Sequence, residues 1–214
     1  MHIPDGLLDI PVSTATSFIS AGSLFLIWRK LKKQFTQHSV PQMALLAAFI
    51  FVAQMINIPV SGGTSGHLLG GLLAALLLGP FTGIFIMSLV IMVQALFFQD
   101  GGITALGANI LNIAIAGTGS GYLVYNYLSK RIKKSTASDF PGMVILFFAA
   151  WLSVEVGAVL CALELSLAGS VPWKLAVGLM STVHALIGFL EGLLTLFIFK
   201  AVRSIRPDLI YVLR

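Results

Sequence analysis

The sequence predicts an all-α membrane protein, a polytopic bundle of seven transmembrane helices with its N-terminus outside and its C-terminus in the cytoplasm. Three observations carry that reading. Of 214 residues, 57% are hydrophobic and only 10% charged, against roughly 25% charged in a soluble domain, and the mean hydropathy is +0.97. Apolar stretches recur along the whole chain, separated by short polar or glycine-rich breaks. Twelve of the 13 Lys and Arg residues gather in three clusters: Arg29, Lys30, Lys32 and Lys33; Lys130, Arg131, Lys133 and Lys134; and Lys200, Arg203, Arg206 and Arg214. Seven crossings place all three clusters on one side, and an excess of Lys and Arg marks the cytoplasm.

Taken in order, residues 1–10 form an N-terminal segment, 11–202 the helical bundle and 203–214 a cytoplasmic tail, all in a single transmembrane domain. Residues 11–28 are long enough to cross a core of about 30 Å at 1.5 Å per residue and end in the first basic cluster. A second crossing, 42–58, runs into Pro59 to His67, too rich in glycine and polar residues to stay helical. A short helix over 68–78 stops at Gly79-Pro80, and 81–98 crosses back to the polar turn Gln99-Asp100-Gly101-Gly102. Residues 103–128, 141–167 and 173–202 supply the last three crossings. Reading 68–98 as one kinked helix would leave six crossings and put the second basic cluster outside, against the charge bias.

Composition excludes several classes. Cys161, the single cysteine, sits in an apolar run and rules out a disulfide framework. The net charge of +5 comes without a basic stripe interleaved with aromatics, so no nucleic-acid partner is expected. No Lys or Arg precedes Arg29, so the start does not read as a cleaved secretory signal. No Gly-Lys-Ser/Thr loop for nucleotide and no His-Glu-x-x-His is present, and an enzyme is not expected.

The chemistry concentrates at the outer ends of the crossings. A histidine at position 2 lets the α-amine of Met1, the backbone nitrogen of His2 and the His2 Nδ1 close two fused chelate rings on one cation. The amide must lose its proton, and Ni(II) and Cu(II) accept such tetragonal nitrogen sites best. Initiator-Met excision requires a small second residue, so the amine is expected to stay on Met1. A frayed terminus is the competing reading. His67 ends the second outward loop, on the same side as Met1 and His2, and supplies a candidate fourth nitrogen of a square plane. Gln54, Asn57, Thr64, Ser65, Gln94, Asp100, Asn109 and Asn112 stand near these ends and would orient the ligands, with interhelical hydrogen bonding as the alternative and bracing of its loop as Asp100's. Gly70 with Ala74 and Gly71 with Ala75 form small-residue pairs suited to internal packing or to docking a partner helix. His184 and Glu191, seven residues apart on one helical face, read as a buried polar pair; a relay or alternative ligand is the competing role. His38, before Pro41, reads as solvated.

These residues closely resemble the NikM/CbiM family, the substrate-capturing membrane components of energy-coupling-factor transporters for nickel and cobalt. The resemblance runs through Met1 to Gly6, Pro59 to Gly71, Gln94 to Gly102, Ala105 to Asn109 with Asn112, and His184 to Gly192, nearly the whole chain. It implies ligation of the transported metal by Met1, His2 and His67. It further implies a prokaryotic plasma-membrane location, a transmembrane coupling (T) component, cytosolic ATPase (A) subunits and a small accessory membrane subunit. Pro4-Asp5 is similar to the nickel branch, so Ni(II) is the expected substrate, with Co(II) admitted less readily. The alternatives are a stand-alone channel or secondary carrier, for which no inverted repeat is visible, and a metal-dependent membrane enzyme, which would need an open coordination position. Because an imidazole must be neutral to ligate, binding should weaken below about pH 6.5.

Overall fold

A computed structural model describes residues 1–32, 39–60, 64–132 and 139–213. His38, Lys33, Lys133, Lys134 and Arg214 lie outside the described residues. Helix α1 (Ile10–Leu31) opens on Asp9, whose carboxylate accepts from Val12 N at 3.0 Å, with proline in its first turn; this is a standard way to satisfy the free N–H groups of a helix start. Helix α2 (Ser39–Met55) follows. The loop expected after it is partly a small antiparallel hairpin, β1 (Ile58–Val60) with β2 (Thr64–Gly66), in register Ile58 to Gly66 and Val60 to Thr64. Glycine and β-branched Thr, Val and Ile disfavour helix but tolerate this pairing, which the composition alone did not reveal.

Helix α3 (Gly71–Leu78) starts three residues later than expected and is about 12 Å long at 1.5 Å per residue, far less than a membrane core. The non-helical residues 67–70 extend it by at most about 13 Å. Helix α4 (Pro80–Phe98) then returns. The Lys30 ammonium sits 4.3 Å from the Phe81 ring, and Trp28 packs on Phe85. The start of α4 therefore lies beside the end of α1, and its own end lies beside the N-terminal segment. Between β2 and α4 the chain is half irregular backbone and half helix, an arrangement tolerable at membrane depth only where protein surrounds it.

The next segment is α5 (Leu106–Asn109), a π-helical stretch (Ile110–Gly117) and α6 (Thr118–Arg131) in unbroken succession. Helices α7 (Phe140–Leu167) and α8 (Trp173–Ile205) pack closely: a Cβ on Gly192 would meet the Phe147 ring at 2.5 Å, and Trp151 donates to Ala185 O at 3.1 Å. Helix α8 runs three residues beyond the expected boundary, and two 3-10 turns, Pro207–Leu209 and Tyr211–Leu213, end the described chain. They fold back on the bundle, where Gln42 donates to Leu209 O at 2.9 Å and Ile210 is fully buried.

Among the described residues, α1, α4, α7 and α8 are long and apolar enough to cross a membrane, and α2 is a shorter apolar helix. Phe18 and Leu45 at 75% exposure, with Leu186 and Phe197 at 72%, form an outer surface that suits hydrocarbon rather than water. The small residues weighed as a docking face are packed inside the chain: Ala74 and Ala75 are fully buried, a Cβ on Gly83 would lie 2.8 Å from Ala75 N, Gly71 abuts Thr118 and Gly70 abuts Ile50. Internal close approach uses those surfaces.

Candidate metal centre

The N-terminal segment is threaded into the bundle. Met1 and Ile3 are fully buried and His2 is 2% exposed, which excludes the frayed terminus. Ile3, Asp5 and Leu7 are each fastened by hydrogen bonds. Ile3 N donates to Asn109 Oδ1 at 2.8 Å, and Ile3 O accepts from Asn109 Nδ2 at 3.0 Å and Gly102 N at 2.8 Å. The Asn109 amide thus completes the backbone of Ile3 as a paired strand would. Asp5 accepts from Thr104 N at 2.7 Å, Thr104 Oγ1 at 2.5 Å and Ile103 N at 3.2 Å, which holds its carboxylate below the usual range. Ser170 donates to Leu7 O. Gly102 must lack a side chain, because a Cβ there would lie 2.4 Å from Asp5 N and 2.7 Å from the Pro4 carbonyl carbon.

His2 and His67 meet with ring centroids 4.5 Å apart and planes inclined 22°. His67 follows β2 directly; its Nδ1 is 2.8 Å from Leu68 O. A carbonyl can only accept, so Nδ1 carries the proton, and Nε2, without a partner among the described residues, presents its lone pair. His2 Nδ1 lies 3.2 Å from Asp100 Oδ1. Burial pushes the Met1 amine down to about 5, with Cys161 and Asp100 opposing. Burial lowers His2 against the pull of Asp100 and takes His67 well below its ordinary value, helped by the neighbouring amine and His2. Burial alone would raise Asp100, but the His2 contact and charge, the amine and Asn57 together lower it. At neutral pH the pocket therefore offers an uncharged amine, two uncharged imidazoles and one carboxylate.

The other expected orienting residues divide. Asn109 and Asp100 touch the N-terminal segment directly, and Asn57 bonds Asp100. Gln54 Nε2 donates to Leu69 O at 2.7 Å and so acts on the stretch after His67. Thr64 donates to Met180 Sδ at 3.4 Å, and Asn112 to Glu164 Oε2 at 2.6 Å. Gln94 is fully buried with both side-chain polar atoms unpartnered among the described residues, as is Ser65 Oγ. His184 and Glu191 do not pair. His184 Nδ1 donates to Met180 O at 2.8 Å, and Glu191 accepts from Leu69 N and Gly70 N, because the unpaired N–H groups of residues 67–70 need acceptors. Asp5, Thr104 and Gly102 were missed as fasteners; the glycine pair 101–102 was their one visible signal.

Among the described residues no three His, Cys, Asp or Glu side chains are set to hold a metal ion. A cation site here would need donors beyond those side chains, and the buried Met1 amine is one such group in the pocket. Fold and pocket define a polytopic helical membrane protein whose own buried N-terminus lines its candidate site. Residues 2–209 match the family described as the cobalt uptake substrate-specific transmembrane region, CbiM, and the chain belongs to that family. A protein of Archaeoglobus fulgidus that carries the name fused nickel transport protein NikMN is 39% identical over 213 residues, covering 98% of this chain and 68% of its own. The cobalt transport protein CbiM of Geobacter sulfurreducens is 29% identical, over 98% of this chain and 61% of its own. A crystal structure of a truncated transition metal transporter superposes with a TM-score of 0.86 at 29% identity, covering 95% of this chain and 99% of that one.

Proposed function

We propose that this chain is the metal-capturing component of a nickel uptake system of the energy-coupling-factor type, with Co(II) a poorer substrate. It sits in a prokaryotic plasma membrane with Met1 outside. The observation that carries the reading is the buried Met1-His2-Ile3 tip, with its uncharged amine, against His67. The Met1 amine, the His2 amide nitrogen, His2 Nδ1 and His67 Nε2 form the square plane. On binding, His2 Nδ1 exchanges its proton for the metal, and the imidazole keeps that proton on Nε2. The ionised amide and the Asp100 carboxylate then balance the two positive charges in a site that water does not screen. The relatives' names and the absence of a nucleotide loop support a transporter that takes its energy from T and A components, with a small accessory membrane subunit completing the assembly.

The test is the terminus. Acetylating the Met1 amine takes its lone pair out of the chelate without lengthening the chain and should abolish tight nickel binding, measured by calorimetry in detergent, while helicity and monodispersity persist. Native-like nickel retention by the acetylated protein, with its terminus verified by mass, would reject the terminal chelate.

A further inference from the structure

His67 reaches the pocket from backbone without secondary structure, residues 67–70 between β2 and α3. The peptide that joins Leu68 to Leu69 is held at both ends: its carbonyl accepts from His67 Nδ1 at 2.8 Å, and its N–H donates to Glu191 Oε2 at 2.8 Å. The other carboxylate oxygen, Oε1, accepts from Gly70 N at 2.7 Å, and Gln54 Nε2 holds Leu69 O at 2.7 Å. Glu191 is 2% exposed on α8. The same helix follows the segment upward, with Ile187 against Gly66 and Met180 Sδ accepting from Thr64.

We infer that Glu191 is a positioning residue for His67, acting through the Leu68–Leu69 peptide. This rests on the reading of His67 as a ligand. An anionic acceptor on the peptide N–H polarises the group so that its carbonyl accepts more strongly. That carbonyl keeps the proton on His67 Nδ1, fixes the ring and leaves Nε2 free for metal, the task carboxylates and carbonyls perform behind metal-bound histidines. Two N–H bonds to one carboxylate also fix consecutive peptide planes, so the Leu68 carbonyl is held where the ring meets it and the ring cannot turn without losing that bond.

The experiment is a double-mutant cycle on the full chain with a native terminus, using NiCl2 as probe. Glu191→Gln keeps shape but turns an N–H donor toward a backbone N–H, and should weaken nickel binding about 10- to 100-fold. Its visible spectrum should move toward that of His67→Ala, the signature of a lost in-plane nitrogen. In the His67→Ala background Glu191→Gln should cause no further loss, because both changes remove one interaction. Gln54→Met, read the same way, decides the matter if Glu191→Gln does not fold. Additive losses, or a weakened protein with an unchanged spectrum, would overturn the inference. Loss in His67→Ala but wild-type behaviour in Glu191→Gln would sink it alone; wild-type nickel binding by His67→Ala would reject the metal site as well.

Discussion

A terminal amine is ordinarily charged and solvated, and burying it as an ammonium would be costly. Here burial instead discharges it, moving it from 8.0 to about 5. Between those values the unfolded chain binds more protons than the folded one, so the inserted terminus loses stability as pH falls from 8.0 toward 5 and levels off below. The sequence placed the onset of metal loss near the ordinary imidazole value; with both imidazoles held lower by burial, their protonation should compete with nickel only below that value. Because amine and imidazoles start uncharged, nickel should displace about one proton, from the His2 amide, between roughly pH 6 and 8. Proton release into weakly buffered solution checks this, and release of two or more would show that the amine or an imidazole is charged. Ligand chemistry singled out Met1, His2 and His67 in the sequence, and the structure brings them together in one buried pocket. The His184–Glu191 pairing was misread, since helical spacing places two side chains on one face without saying what they bond.

Elements convert these residues into a site through contacts distant in sequence. Asp5 reaches Ile103 and Thr104, and Asn109 reaches Ile3, across roughly a hundred residues, and no local pattern announces them. The long apolar helices and their breaks were readable from hydropathy and Gly-Pro punctuation. The hairpin, the late start of α3 and the π-helical stretch were not, because each depends on which backbone groups neighbours satisfy. The π-helical stretch follows Asn109 and contains Asn112, and such departures often accompany function. Gly102→Ala is the sharpest test at this scale. A Cβ there meets the backbone of Pro4 and Asp5, and backbone cannot step aside as a flexible side chain can. Gly102→Ala should expel the N-terminal segment, with nickel affinity falling at least about 10-fold and the bundle intact. A protease or hydrogen-exchange assay should find residues 1–8 newly exposed; unchanged protection would contradict the fastening described.

At the scale of the whole molecule the bundle places the pocket at one end, while the chain's last turns pack at the other, beneath α2 and the α3–α4 corner. Charge clustering assigned the second end to the cytoplasm. With buried Cys161 replaced by Ala, a cysteine at exposed Lys174 should react with a membrane-impermeant maleimide in intact cells, and one at exposed Ser204 only after lysis. The reverse pattern would invert the topology and the direction of capture. The proposed site is a planar set of four nitrogens built around the chain's own first residue. Square-planar nitrogen suits d⁸ Ni(II) and disfavours tetrahedral Zn(II). The most direct measurement is the magnetic and electronic state of nickel in the full-length protein with a native terminus. A diamagnetic ion with a square-planar absorption band is the predicted result; a paramagnetic, octahedral nickel would contradict the terminal chelate.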